Sequence, residues 1–300
     1  MDLLEKFEAV TVQADHRISP VDKDYCERHQ NAYEAAITSF QELSFFWNDM
    51  RKAQEDLLKP LNPDRTDFSE YLYSEHSPKL SEQDLSRHVD NLHETFIQNL
   101  VYYFNRTYHV SVESHEVKKA LLPAKPDRCR GNEEEFEAYY EQLQALRVRY
   151  EDVVEQVILR LDGRTFAEQA LFELKQKCHK AAWYSNQDGP KFERKKAMIY
   201  FGSYMCRFRD SYYSDRWELQ DPMKDILRGL AHYETGLYAV YPLGFGDLLG
   251  YGGTSENVQE FPSCHRVKSL KMFKSGRVDL KFASDSDAET FVNDYLGAVC

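Results

Sequence analysis

The residues with the clearest chemical potential in this chain are cysteines and histidines, which can bind zinc or form a nucleophilic pair. Cys178-His179 and Cys264-His265 each place the two residue types side by side. Neighbouring residues on a helix point about 100° apart, so such a pair is poorly aimed at one metal ion. No orienting acid or oxyanion hole is recognisable beside either cysteine. The sequence therefore predicts no catalytic residue, no metal site and no cofactor, and it favours a binding protein over an enzyme.

The glycine-rich stretch 244–250 resembles a dinucleotide-binding loop only superficially. Its third glycine stands one residue late, and neither a strand before it nor a helix after it is convincing. We interpret residues 238–261 as a loop, either mobile and partner-binding or ordered and structural. In the first interpretation its rings Tyr241, Phe245 and Tyr251 are candidate partner-binding residues.

Two basic islands, residues 191–196 and residues 266–281, interrupt an acidic background. An aromatic-rich tract follows the first island, and its Tyr212, Tyr213 and Trp217 are further candidate partner-binding residues. Basic residues interleaved with rings suit single-stranded nucleic acid or a protein hot spot. Ordinary packing and a solvated strand face explain the same pattern equally well.

The charge of the whole chain argues against nucleic acid as the main partner. The 38 Lys and Arg against 50 Asp and Glu give a formal net charge of -12, which opposes sequence-independent attraction to DNA. A DNA-associated accessory role for the two basic islands remains the alternative. The cysteines are scattered, and no stretch approaches the roughly 18 to 20 apolar residues of a membrane span. We therefore expect a cytoplasmic protein that binds another protein and no membrane.

A long amphipathic helix is predicted to begin at Ser19-Pro20 and to end before Pro60. Its apolar stripe alternates steps of three and four residues. The stripe consists of Cys26, His29, Tyr33, Ala36, Phe40, Leu43, Trp47, Met50, Gln54 and Leu57. An internal partner helix or a second copy of the chain could cover it. For the second case the candidate self-association residues are Tyr33, Phe40, Leu43, Trp47, Met50 and Leu57.

The remaining pattern predicts an α+β fold that is predominantly helical, with a smaller C-terminal part that contains a β-hairpin and a short helix. The predicted elements are helices over 81–108, 133–162, 164–184 and 222–233, a strand over 197–201, a hairpin over 266–282 and a final helix capped at 286–289. The proline-rich stretch 123–132 is the best linker. It separates a helical domain, 1–122, from a helical and α+β domain, 133–300.

The C-terminal third resembles a family of uncharacterised proteins that bacteriophages and plasmids encode. The resemblance covers roughly 100 residues: the strand at 197–201, the helix at 222–233, the hairpin at 267–282 and the closing segment 291–297. Some members carry an attached DNA methyltransferase. This chain has no methyltransferase motif, so that activity is not implied.

The size, acidity and two-part helical plan are also similar to phage inhibitors of the bacterial Gabija defence system. The resemblance implies a non-enzymatic protein in the host bacterial cytoplasm. It further implies assembly around a host nuclease complex, whose access to DNA is blocked. No residue of that family has a role specific enough to transfer to a position in this chain.

Overall fold

The computed structural model describes residues 18–61, 63, 82–126, 133–183, 189–210, 215–250 and 252–297. The chain divides into two compact units, residues 1–165 and residues 166–300. Helices make up the described part of the first unit, whereas the second combines helices with antiparallel strands. The predicted α+β class with predominant helix is confirmed.

The described helices of the first unit pack around one central helix. They are α1 (Pro20–Leu58, continued by the 3-10 turn Lys59–Leu61), α2 (Glu82–Tyr108), α3 (Ser114–Leu121), α4 (Glu133–Ala145) and α5 (Tyr150–Leu159). Helix α2 contacts each of the other four. Its buried apolar side chains, from Val89 to Phe104, form the middle of the core.

The start of α1 follows directly from local sequence. Ser19 is the N-cap: its hydroxyl accepts the backbone N–H of Asp22 at 3.2 Å, and its own N–H donates to the Asp22 carboxylate at 2.7 Å. Pro20 occupies the first turn, where its missing N–H costs nothing. This reciprocal capping box confirms the predicted start of the helix.

The predicted single helix over 133–162 is wrong, because an extended break at 146–149 separates α4 from α5. The break is held by contacts with α1. The backbone N–H of Val148 donates to the Tyr33 hydroxyl at 3.2 Å, and that of Tyr150 donates to the Gln30 side-chain oxygen at 2.8 Å. These tertiary hydrogen bonds replace helical ones, so the local apolar periodicity was not sufficient to predict the break.

The predicted domain boundary at 123–132 is also wrong. Helix α4 contacts α2, and α5 contacts α1, α2 and α3, so residues beyond the proline-rich stretch belong to the first unit. The division falls between Thr165 and Phe166. Residues 127–132 lie outside the described part of the chain.

The second unit begins with α6 (Phe166–Ala182) and then forms a sheet with flanking helices. Its other elements are β1 (Phe192–Lys195), β2 (Met198–Phe201), β3 (Cys206–Arg209), β4 (Arg216–Leu219), α7 (Asp221–Thr235), α8 (Phe245–Leu249), β5 (Val258–Glu260), β6 (Val267–Met272), β7 (Val278–Phe282) and α9 (Asp285–Phe291, continued by the π-turn Val292–Leu296). The five-stranded sheet has the antiparallel order β1-β2-β7-β6-β5, and β3 pairs with β4 in a separate hairpin.

Alternation along the strands separates a core face from an outer face. Ile199, Phe201 and Leu280 point to the core, where they join the buried apolar side of α7. The predicted hairpin, strand and α7 are therefore confirmed. The cap of α9 was predicted two residues late, since Ser284 is the residue whose hydroxyl accepts a backbone N–H, that of Asp287.

None of the described helices combines the length and apolar character that a membrane crossing requires.

Candidate functional site

The candidate partner-binding rings do not form one surface. Tyr241 is exposed, as predicted. Phe245 is fully buried against Phe261, with ring centroids 4.4 Å apart, and Trp217 is buried against Phe208 at 4.8 Å. These two residues stabilise the core, so we correct their assignment as partner contacts. The other three candidates, Tyr212, Tyr213 and Tyr251, lie outside the described residues.

Tyr241 belongs to an exposed apolar segment that we call the apolar loop, residues Leu237–Leu243. It connects α7 to α8 and exposes Leu237, Val240, Tyr241 and Leu243, the last at 78% of its maximal accessible area. Single exposed apolar residues are common, but several on one short segment are typical of an interaction surface. Sequence reasoning found only the tyrosine.

The N-terminal end of the apolar loop is fixed to α7. Gly236 ends that helix with φ of 70°, a left-handed conformation that glycine adopts without strain. The Thr235 hydroxyl then accepts the N–H of Leu237 at 3.1 Å. Tyr238 turns inward, and its ring lies 4.8 Å from that of His232. The loop therefore leaves α7 in a defined direction.

The C-terminal end is fixed by α8. The backbone N–H of Phe245 donates to the carbonyl of Pro242 at 3.0 Å, and the Phe245 ring is inserted beside Phe261 in the core. The interpretation of residues 238–261 as ordered and structural is thus correct for most of this stretch, which contains α8 and β5. Phe245 anchors the surface on which Tyr241 is displayed.

The apolar loop also lacks charge. No Asp, Glu, Lys or Arg occurs from Thr235 to Gly246, and depletion of charge with enrichment of tyrosine marks the centre of protein interfaces. A fixed, uncharged and protruding segment can bind an apolar groove of another protein with little ordering cost. This twelve-residue charge-free stretch was the sequence signal that could have identified Leu237 and Leu243.

Polar groups buried in the first unit stabilise its fold. The Asp22 carboxylate, 1% exposed, accepts the hydroxyls of Tyr103 at 2.8 Å and Tyr108. Burial alone would raise the pKa of Asp22, but the hydrogen bonds from Tyr108, Ser19 and Tyr103 outweigh it and hold that pKa below its usual range. Burial, together with the hydrogen bond to Asp22, raises the pKa of Tyr103 to about 12.

His93 forms a second buried network. One ring nitrogen, Nδ1, lies 2.6 Å from the Tyr33 hydroxyl, and Nε2 lies 2.9 Å from the carbonyl of Leu143. The carbonyl can only accept, so Nε2 carries the proton and Nδ1 accepts from Tyr33. Burial lowers the pKa of His93, which favours this neutral form. Tyr33 is thereby engaged inside the unit and is removed from the candidate self-association residues.

We expect acidification below pH 6.5 to destabilise the protein through His93. A histidine whose folded pKa is lowered contributes stability that is present above its ordinary pKa and is lost as pH falls, by up to about 1.4 kcal/mol per pH unit. Imidazole NMR resonances should show His93 still neutral at a pH where the histidines of the urea-unfolded chain are protonated. Protonation of His93 at the same pH in the folded and unfolded chain would contradict the assignment.

In the second unit a histidine fixes the π-turn. Nδ1 of His232 lies 2.8 Å from the Tyr295 hydroxyl, and burial raises the pKa of Tyr295 and lowers that of His232. The protonated phenol therefore donates to a neutral ring. Cys178 packs beneath this turn against Gly229. The arrangement holds the π-turn against α7.

The described cysteines are buried thiols. Burial raises the pKa of Cys26 and Cys178 to about 12, and it also raises the pKa of Cys206 and Cys264, whereas nucleophilic and metal-binding cysteines need the thiolate. Across the described ranges, His, Cys, Asp and Glu side chains form no group of three that could hold a metal ion.

The first basic island lies on β1 and the turn after it, whereas the second runs along the whole of β6 and β7. The register pairs Met198 with Lys281 and Phe201 with Val278, so Lys195 and Lys196 lie at the Lys281 end of β2 and β7, opposite the Lys274 turn. In the first island Arg194 pairs with Asp285, and Lys195 pairs with Glu193 at 2.9 Å. Its charge is therefore partly neutralised.

Comparison with known proteins gives no relative on which to rest an assignment. No family model, curated protein or solved structure matches this chain.

Proposed function

We propose that the chain is a non-enzymatic binding protein that docks the apolar loop on a host defence protein and inhibits it by occupancy. The observation that carries the proposal is the exposure of four apolar side chains on a charge-free segment with both ends fixed. The target we propose, a Gabija-type nuclease complex in the host bacterial cytoplasm, rests on the resemblance of the sequence to phage inhibitors alone.

Inhibition by occupancy has a distinct kinetic form. Because the inhibitor occupies a surface and catalyses nothing, full inhibition needs about one copy per binding site and leaves the target covalently unchanged. The test is a titration of nuclease activity of a reconstituted Gabija complex with the purified chain, with intact masses recorded before and after. Full inhibition at a small fraction of one copy per site, or any change of mass, would identify an enzyme instead.

Self-association through α1 is a second element of the proposal. Beyond Phe40, whose ring stacks on His88 of α2 at 5.2 Å, no residue of α1 is buried. An apolar stripe that repeats every seven residues rotates by about 20° per heptad around the axis of a straight α-helix. The stripe that faces α2 at Cys26 has therefore rotated away from α2 by Leu57.

The exposed side of this distal segment contains its own seam. Leu43, Phe46, Met50, Ala53 and Leu57 follow steps of 3, 4, 3 and 4 residues, and all five are exposed. The predicted candidates Leu43, Met50 and Leu57 belong to this seam. Trp47 and Phe40 are half-buried and lie outside it. The seam is the arrangement that a two-stranded coiled coil buries.

Charges beside the seam favour a parallel pairing of two copies. In heptad notation the a positions of the seam are Leu43, Met50 and Leu57, and the d positions are Phe46 and Ala53. The residues directly before the a positions are Glu42, Asp49 and Asp56, whereas those directly after the d positions are Trp47 and Gln54. An antiparallel pair would bring the acidic rows together. A parallel pair brings each acid next to an uncharged residue, so like charges stay apart.

Two adjacent phenylalanines provide a matched test of the seam. We expect Phe46→Glu to shift the chain from dimer to monomer in sedimentation velocity, because a charge would be buried between the helices. Phe45→Glu should leave the dimer intact, since Phe45 is at least as exposed (73% against 63%) but lies off the seam. A monomeric parent protein, or equal effects of the two changes, would contradict self-association here.

A further inference from the structure

Two turns of the second unit pack together and form a surface groove of about 470 Å³. The N–H groups of Met205 and Cys206 donate to the carbonyl of Gly276 at 2.9 and 3.2 Å. Gly276 has φ of 86°, and a Cβ there would lie 2.8 Å from the nitrogen of Tyr204. Glycine is therefore required for the approach of the two turns. The volume lies within the range of about 300–1,000 Å³ that small-ligand sites occupy.

The rim of the groove displays one tyrosine in an unusual way. Tyr204 is 84% exposed and has φ of 73°, the left-handed conformation that non-glycine residues rarely adopt. Such a conformation is strained and persists where its surroundings fix it, often at ligand sites. The hydrogen bonds to Gly276 supply that fixation, so the ring is presented to solvent in a defined position.

Two cations line the same groove as this ring. Lys274 places its Nζ 4.3 Å from the Phe208 ring centroid, and Arg207 is exposed on the neighbouring strand. Neither forms an ion pair within the described part of the chain, whereas nearby Arg209 and Arg277 are paired with Glu218 and Asp279. Arg207 lies opposite Glu218 in the hairpin register, but the Glu218 carboxylate pairs with Arg209 at 2.8 Å. An exposed aromatic face and two cations that line one groove match a base and its phosphate.

The acidity of the chain does not oppose an anion at this place. Residues 166–300 contain 18 Lys and Arg and 18 Asp and Glu, so the net charge of -12 resides entirely in residues 1–165. The charge argument against nucleic acid therefore applies to the first unit. Attraction near the groove depends on local cations, which act within about 8–10 Å at physiological salt.

We infer that this groove binds single-stranded nucleic acid, with one base stacked on Tyr204 and the adjacent phosphate between Arg207 and Lys274. The site involves none of the residues of the apolar loop, so the inference is independent of the function proposed above. It also locates the nucleic-acid alternative at the Lys274 end of the sheet, opposite Lys195 and Lys196.

The test uses the full-length chain and a fluorescein-labelled oligo(dT) of about eight nucleotides, a length within the site sizes of single-strand binders. Tyr204→Gly removes the ring while keeping a residue that tolerates the backbone conformation, and it should weaken binding about ten-fold in fluorescence anisotropy. The matched control is Tyr102→Ala, an exposed tyrosine of α2, which should bind as the parent does.

The salt dependence of oligonucleotide binding distinguishes a site in the groove from nonspecific attraction to basic residues elsewhere. Joint replacement of Arg207 and Lys274 by glutamine should lower the slope of log affinity against log salt by about 0.7, because one phosphate of a single strand lies between them. The same replacement of Lys195 and Lys196 should leave the slope unchanged. The inference is overturned by absent oligo(dT) binding, by equal effects of the two pairs, or by free dTMP that binds as tightly as the oligonucleotide.

Discussion

Replacement of Leu237 and Leu243 by aspartate will abolish binding to the proposed host target while the chain stays folded. Each leucine protrudes from the apolar loop, and a side chain buried at the centre of an interface contributes about 2 kcal/mol or more. Each replacement should therefore raise Kd about thirty-fold. Burying an unpaired carboxylate against an apolar groove adds to this loss. The measurement is equilibrium binding of the purified variants to a reconstituted Gabija complex.

Leu159→Asp provides the matched control, because Leu159 is as exposed as Leu237 (58% each) but lies in the first unit. It should bind like the parent protein. Thermal unfolding of all variants should superimpose, since none of these leucines belongs to the core. Equal loss of binding in the Leu159 control and in the loop variants would show that the apolar loop is not the binding surface.

Asp22→Asn will destabilise the folded protein by about 3 kcal/mol in denaturant unfolding followed by circular dichroism. The change removes the charge that Tyr103 and Tyr108 donate to, and hydrogen bonds to charged groups contribute about 1.5–3 kcal/mol each without being additive. It also weakens the N-cap of α1. The effect is large because the carboxylate is 1% exposed.

The pH dependence of this effect follows from the lowered pKa of Asp22. A carboxyl with a lowered folded pKa contributes stability that is complete above its ordinary value of 3.8 and is lost as pH falls through the folded value. The difference between parent and variant should therefore shrink under strongly acidic conditions. Asp24→Asn, an exposed neighbour that pairs with Arg28, should change stability by less than about 1 kcal/mol. A similar loss in both variants would contradict the role of the buried carboxylate.

Local signals predicted the parts of the fold that local interactions determine. The Ser19-Pro20 cap and the three-four stripe gave α1 its correct bounds, and alternation around Gly276 predicted the β6–β7 hairpin. Capping boxes, proline at the first turn and period-two alternation act within a few residues, so the sequence displays them directly.

Features that depend on distant partners were not predictable in this way. The break at 146–149 arises because two side chains of α1 accept backbone N–H groups there. Tyr33 accepts the N–H of Val148, and Gln30 accepts that of Tyr150. Nothing near residue 147 indicates those partners. The domain boundary was misplaced for the same reason, since prolines at 123–126 mark a turn inside the first unit.

The candidate site likewise combines features that the sequence predicted with features that depend on distant residues. Ring content drew attention to Trp217 and Phe245, but composition cannot distinguish a ring that anchors the core from one that meets a partner. The surface is formed by aliphatic residues between two fixed ends, and its fixation depends on Phe261, sixteen residues beyond Phe245. In α1 the apolar stripe rotates slowly around the helix axis, so its N-terminal half faces α2 and its C-terminal half is exposed.

Hydrogen–deuterium exchange of the whole chain, alone and mixed with a reconstituted Gabija complex, tests the central claim most directly. It reports every amide, so it does not presuppose the surface. We expect slower exchange over residues 236–246 in the complex, because docking of the apolar loop excludes water from its backbone. Unchanged exchange there, with protection confined to other residues or with no complex formed at all, would contradict the claim that this loop is the surface by which the chain binds and inhibits its target.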